Sequence, residues 1–154
     1  MTIAIKKLID QDSSNKILEI PVKDILRPVF WLGSNACLQE AMEMMQNNAV
    51  SHIMIGTDGN IEGIVSNSDI NSGLSPYLKP VFSKWRRPQD TATLKIQLKW
   101  LMSQPVYSLN DQATVRDAVK LMADNKIGFA PVKDSSGKVL GSVSVYDLFV
   151  LLLS

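Results

Sequence analysis

Gly63-Ile64-Val65-Ser66-Asn67-Ser68-Asp69 and Gly141-Ser142-Val143-Ser144-Val145-Tyr146-Asp147 are two writings of one heptad, and the reading of the fold starts there. In each, apolar β-branched residues run into a serine with an aspartate three positions later. That order predicts a strand passing directly into the first turn of a helix. Such a turn suits two roles. Its unpaired N–H groups and dipole favour an anion, and its aspartate can accept hydrogen bonds from a vicinal diol, so a sugar phosphate carries both matching groups. Ser-x-x-Asp is also close to the capping box, in which the side chains only satisfy the helix's own first amides. A single copy favours the cap; two copies at matching places bring the ligand reading up beside it.

The likeness extends outward from the heptads. Ile61 to Val65 matches Val139 to Val143, preceded by the turns Asp58-Gly59-Asn60 and Asp134-Ser135-Ser136-Gly137 and by the apolar segments Ile53-Met54-Ile55 and Ala130-Pro131-Val132. Leu38, Ala41, Met42 and Met45 fall at helical spacing, and Val115, Ala118, Val119 and Met122 repeat it 77 positions later. Asn48 and Asn125 stand where these helices should stop. Thr114 with Asp117 is a capping pair, whereas the first helix has Cys37 and Glu40 in those places and is expected to take its cap from Ser34 or Asn35. Before each helix a strand is expected, over Val29-Phe30-Trp31-Leu32 and over Val106-Tyr107-Ser108-Leu109. Earlier still, Leu18, Ile20 and Val22 alternate as in a short strand. Val22, Ile25 and Leu26 then mark one helical turn ending near Pro28, and Leu94, Ile96, Leu98, Leu101 and Met102 do the same.

A period near 77 held across strand, helix, hairpin and helix start is an internal duplication of a β-α-β-β-α unit. The expected fold class is therefore α+β, a sandwich of two pseudo-symmetric repeats packed through their sheets. The expected boundaries are a lead-in over 1–15, a first repeat over 16–75, a connecting arm over 76–93 and a second repeat over 94–154.

With 154 residues, 45% of them hydrophobic, the chain can bury a core without staples. One cysteine excludes an intramolecular disulfide framework and any multi-cysteine metal cluster. The start lacks a signal-peptide core and the longest apolar run, Leu148 to Leu153, is too short for a bilayer, so a cytoplasmic protein without a membrane segment is expected. That run is read as a surface for a partner. Charge is uneven: Asn71 to Lys99 holds six basic residues (Lys79, Lys84, Arg86, Arg87, Lys95, Lys99) against Asp90 alone. Tyr77, Phe82 and Trp85 beside Lys84, Arg86 and Arg87 could bind nucleic acid through the basic stretch 79–99, or could dock the arm while its cations stay wet; docking is the preferred reading. With one histidine, no Gly-x-Ser-x-Gly elbow and no P-loop, no catalytic constellation can be assembled and no metal site is supported.

On Val22-Lys23-Asp24-Ile25-Leu26, Pro131-Val132, the two Gly-x-x-Ser-x-x-Asp heptads and the helical stripes between them, the halves resemble a tandem pair of CBS (cystathionine-β-synthase) domains. The first half departs from the family pattern in Ser51-His52-Ile53-Met54-Ile55, which lacks a proline, and in Cys37, which replaces a capping threonine. The resemblance implies a non-enzymatic regulatory module, needing no cofactor, that binds AMP, ADP or ATP in clefts between the repeats. It also implies a homodimer that reports to a protein target not named by the sequence. Carried over residue by residue, it assigns Asp69 with Ser66 and Ser68, and Asp147 with Ser144, to ribose and phosphate, Tyr146 standing where the first copy has Ser68. The adenine walls would be Val106, Ile127 and Gly128 for Asp69, and Val29, Val50 and Ser51 for Asp147. His52 is a phosphate candidate, against the plainer reading of a half-buried structural histidine. The other reading is an interaction module with empty clefts.

Overall fold

Two short sheets of identical topology carry the chain, each with a parallel and an antiparallel pairing. The computed structural model describes residues 16 to 153, and for Tyr77, Pro80, Phe82 and Ser83 the backbone alone. The amphipathic lead-in expected over residues 1 to 15 lies outside the described residues. Packing divides the chain into a central unit, Phe30 to Val106, and a terminal unit built from the segment ending at Val29 and the segment starting at Tyr107.

In the central unit, β1 (Trp31–Leu32) runs parallel to β2 (His52–Thr57), and β2 pairs antiparallel with β3 (Asn60–Ser66). Helix α1 (Leu38–Asn48) connects β1 to β2, α2 (Asn67–Gly73) follows β3 without a break, and α3 (Pro88–Ala92) lies in the connecting arm. The terminal unit repeats the pattern with β4 (Leu109–Asn110), α4 (Val115–Asn125), β5 (Phe129–Lys133), β6 (Val139–Ser144) and α5 (Val145–Leu153). Register is conserved between the copies: Leu32 faces Ile55 as Leu109 faces Val132. The β-α-β-β-α reading is thus the architecture of both units.

The helices end where the stripes predict, but their caps are more specific than the sequence shows. Ala49 and Lys126, the residues after Asn48 and Asn125, take left-handed backbone with φ of 52° and 54°, and their N–H groups close the last turns on Met45 and Met122. Thr114 and Asp117 form the expected capping box. The cap of α1 is a correction: Cys37 itself is the N-cap, and the Glu40 carboxylate accepts its N–H at 2.7 Å, in place of Ser34 or Asn35. That bond holds the Glu40 carboxyl below its ordinary pKa.

The lead-in to each repeat is also corrected. Residues 16–19 form turns and Val22–Asp24 one 3₁₀ turn, where a strand followed by an α turn was expected; Thr93–Lys95 and Leu98–Trp100 are likewise 3₁₀. Moreover, each lead-in completes the unit that holds the other repeat's sheet. Leu18 and Val22 are buried with Leu109, Val115, Met122, Val132 and Leu148, while Leu98 is buried with Leu38, Met45, Ile53, Val65 and Ile70. Backbone bonds fasten both segments. The Val22 N–H donates to Ala113 and the Val115 N–H to Ile20; the Leu98 N–H donates to Ala36 and the Leu38 N–H to Ile96.

This exchange explains the glycine that opens each heptad. A Cβ on Gly141 would lie 2.8 Å from the Arg27 carbonyl oxygen and 2.9 Å from the Leu26 Cβ; one on Gly63 would lie 2.7 to 2.9 Å from the Met102 side chain. The lead-in crosses the strand where no side chain fits.

The connecting arm is a string of turns, Pro76–Leu78, Pro80–Trp85 and α3, which its prolines start or interrupt. It is stapled by Asp90, which is buried and accepts from Arg87 Nε, Nη2 and N–H and from the Ser75 hydroxyl at 2.6 Å. Those donors, Arg87 first, hold the Asp90 carboxyl far below the usual carboxylate range. Arg86 donates to the Leu78 carbonyl. Trp85 does not dock as expected: it is exposed, with Lys84 Nζ 4.3 Å from its ring centroid.

Candidate functional site

Both Ser-x-x-Asp turns form, and in both the serine is the N-cap. Ser66 Oγ accepts the Asp69 N–H at 3.1 Å, while Asp69 Oδ2 accepts the Ser66 N–H at 2.8 Å and its hydroxyl at 2.9 Å. Ser144 and Asp147 repeat all three bonds, the two on Asp147 Oδ2 each 3.0 Å long. The capping reading is therefore correct for one carboxylate oxygen of each aspartate. It leaves the other oxygen for separate use.

That second oxygen is where the two turns part. Asp69 Oδ1 accepts no hydrogen bond from a described residue, and since no buried side-chain oxygen among them lacks a partner, it is not sealed from solvent. Its two lone-pair directions suffice for both hydroxyls of a vicinal diol. Asp147 Oδ1 instead accepts Arg27 Nε at 3.1 Å, in an ion pair whose acidic side chain is nearly buried and whose basic side chain is mostly exposed. A cavity of about 260 Å³ opens beside this pair, lined by Ile25, Leu26, Arg27, Asp147, Val150 and Leu151. That volume lies just under the usual lower bound for a small-molecule pocket, so it suits part of a nucleotide rather than the whole.

The remaining expected residues divide between the units. Ser66, Ser68, Asp69, Val50, Ser51, His52 and Val106 are in the central unit; Ser144, Tyr146, Asp147, Ile127, Gly128 and Val29 are in the terminal one. Within each unit the residue just ahead of the middle strand reaches the turn's first amide: the Ser51 carbonyl accepts the Asn67 N–H and the Gly128 carbonyl accepts the Val145 N–H, both at 2.9 Å. Ser68 and Tyr146 are exposed one residue before their aspartates. His52 pairs with Ser66 across β2 and β3, and its Nδ1 lies 3.0 Å from the Ser51 hydroxyl. Burial pushes its pKa below the ordinary 6.5, with the neighbouring Asp69 carboxylate offsetting part of the shift. A ring that is neutral at neutral pH brings no full positive charge to a phosphate.

Arg27 is the site residue that sequence reasoning missed. One signal was present, because the repeat sets Arg27 against Ser103, a guanidinium against a hydroxyl.

The comparisons with known proteins bear on this geometry. The family model for the CBS domain matches residues 22–75 and again 97–154. The chain belongs to the CBS domain family. Both matches start inside the exchanged lead-ins and run through the Ser-x-x-Asp turns, which makes those turns part of the CBS pattern. The chain is 26% identical over 139 residues to a CBS domain-containing protein of Dictyostelium discoideum, covering 88% of this chain and 93% of the relative. It is 27% identical over 152 residues to an uncharacterized protein of Methanocaldococcus jannaschii, covering 86% and 90%. Among solved structures, a CBS domain of a membrane protein from Sphaerobacter thermophilus superposes with a TM-score of 0.74 at 21% identity, over 96% of this chain and 94% of that one. A CBS domain pair in complex with 5′-methylthioadenosine and S-adenosyl-L-methionine gives 0.68 at 24%, over 87% and 96%. The protein CBSX2 in complex with AMP gives 0.65 at 20%, over 87% and 96%. Identities this low carry the fold. Among the described residues, no helix is long and apolar enough to cross a membrane, and no group of three or more His, Cys, Asp or Glu is placed to hold a metal.

Proposed function

We propose that this CBS pair is a non-enzymatic regulatory module that binds an adenosine nucleotide, AMP, ADP or ATP, at its Ser-x-x-Asp turns. One observation carries the reading: Asp69 spends a single oxygen on its cap, where two short bonds orient the carboxylate, and keeps the other unsealed and ready to accept a sugar diol. Adenosine-containing ligands in two solved structures of the same fold, the CBS domain pair and CBSX2, support the choice. Ser66, Ser68 and Ser144 are assigned to the phosphate side, with His52 as a neutral neighbour. Val29, Val50, Ser51, Val106, Ile127 and Gly128 are assigned to the base.

Asp69→Asn tests the reading better than Asp69→Ala. The asparagine oxygen can keep the cap on Ser66, whereas its NH₂ group donates and cannot accept from hydroxyls. Titration calorimetry of the unmodified chain with the three nucleotides should give heat, and Asp69→Asn should remove one site with its melting temperature little changed. Saturation at about 100 times Kd should add about 2.7 kcal/mol of stability. No heat with any nucleotide, on protein shown to be folded, retires the proposal.

The exposed face of α5 favours a second reading, an interaction module acting as a homodimer or on a protein target. Tyr146, Phe149, Leu152 and Leu153 are all more than half exposed there, a density of apolar surface that marks association sites. A melting temperature indifferent to nucleotides would leave this reading standing alone.

A further inference from the structure

Arg27 occupies a place that the repeat defines closely. Its N–H and carbonyl bond both ways to Ser142, at 3.0 and 2.9 Å, as those of Ser103 bond to Ile64. Ser142 and Ile64 are the same heptad position, so Arg27 and Ser103 are equivalents. Ser103 ends in a hydroxyl that does not bond Asp69. Arg27 reaches across to Asp147 Oδ1 and stands at the rim of the cavity, with Ile25, Leu26, Val150 and Leu151 as its apolar lining. Only Nε is committed among the described residues, and the side chain is 64% exposed, which leaves its terminal N–H groups available to a ligand.

We propose that Arg27 makes the Asp147 site selective for phosphorylated ligands, by a device that the Asp69 site lacks. The proposal rests on the nucleotide reading above. A neutral nucleoside must compete with the guanidinium for Oδ1 and offers it nothing in return. A nucleotide brings both groups: its diol takes Oδ1 while its phosphate accepts from the planar N–H fork of Arg27, so one charge pair is exchanged for another. An ion pair this exposed on its cation side holds a diol off by no more than about fivefold. The charge-assisted bond to phosphate adds about tenfold or more in favour of the nucleotide.

The test uses the full chain carrying Asp69→Asn, so that the Asp147 site is read alone, with adenosine and AMP as probes in calorimetry. AMP should bind at least about tenfold tighter than adenosine, and the ratio should fall as salt is raised from about 50 to about 500 mM, because ion pairs at this exposure are screened. Adding Arg27→Gln should bring the ratio below about threefold, while Arg27→Lys should keep an intermediate preference because it retains the charge without the fork. Near-ultraviolet dichroism checks that each variant is folded, and the salt series needs no Arg27 variant. A ratio indifferent to both salt and Arg27→Gln overturns the proposal, as does equal binding of the two probes with Arg27 in place. AMP heat in the unmodified chain that vanishes entirely in Asp69→Asn also overturns it, leaving the nucleotide reading intact for Asp69. Absence of heat in the unmodified chain removes both.

Discussion

The turn at Asp69 and the turn at Asp147 share every capping bond and differ in the partner of one oxygen. Duplication therefore preserved what the fold needs and released what it does not. Oδ2 must close the first turn of a helix in both units, and its bond lengths agree between the copies within 0.2 Å. Oδ1 has no such duty, and there the copies went different ways, open at Asp69 and paired with Arg27 at Asp147. The same division runs through the cores. At four equivalent positions the central unit buries the larger side chain, Leu38 against Val115, Ile53 against Ala130, Ile55 against Val132 and Leu98 against Val22, while Ala41, Met45 and Val65 match Ala118, Met122 and Val143. The terminal unit compensates with Leu18, Leu109 and Ala113, whose counterparts in the central unit, Leu94, Leu32 and Ala36, are only partly buried.

The largest effects should come from the exchanged lead-ins. Leu98→Ala removes a fully buried side chain from the central core and should cost about 2–5 kcal/mol. Val22→Ala, its counterpart, removes one carbon fewer from an equally buried place and should cost about 2 kcal/mol. Denaturant midpoints at constant m-value measure both. If the lead-ins were loose connections, neither substitution would cost more than about 0.5 kcal/mol, the range of ordinary surface changes.

The opening glycines sharpen the comparison at smaller scale. At Gly141 an added methyl meets the backbone of Arg27, whose carbonyl is already bonded to the Ser142 N–H, and so cannot move freely. At Gly63 two of the three clashing atoms are Cγ and Sδ of Met102, which can rotate away. Gly141→Ala should fall at the upper end of the ~1–3 kcal/mol range for overpacking and Gly63→Ala at its lower end. Equal costs would show that both lead-ins yield alike. Gly141→Ala should also weaken AMP binding at the Asp147 site, because it displaces the residue that carries the guanidinium.

What the sequence made legible follows from the range of the interactions. Both long helices and both hairpins were readable because helical stripes and turn residues act within a few positions. The family pattern was readable because it was written twice. The lead-ins were misread because Leu18 and Val22 alternate as a strand would, yet they are buried by residues roughly ninety positions away; no local pattern shows that. At the site, Ser66 and Asp69 invited two exclusive readings, cap or ligand. The structure assigns the cap to one oxygen and leaves the other out of it, a distinction below the resolution of residue letters. Arg27 was invisible for a simpler reason: its partner lies 120 positions along the chain.

The smallest expected effect concerns the caps of α1 and α4, whose N-cap residues have nearly the same backbone. Cys37 has φ −101° and ψ 167°, and Thr114 has φ −103° and ψ 171°. Extended backbone of this kind suits a β-branched side chain, so threonine fits at position 37 without strain. A thiol is a weak acceptor, whereas the Thr114 hydroxyl accepts the Asp117 N–H as a proper cap. Cys37→Thr should therefore replace a weak sulfur acceptor facing the Glu40 N–H by a hydroxyl oxygen, while the Glu40 carboxylate keeps its 2.7 Å bond to the N–H of residue 37, strengthening the box to match that of Thr114. The gain should be about 0.5–1 kcal/mol, and Thr114→Ala should lose about 1 kcal/mol, both read as shifts in denaturant midpoint. A loss on Cys37→Thr would mean that the half-buried sulfur is held by packing rather than by its place at the helix start, and the two helix starts would then differ in kind and not only in strength.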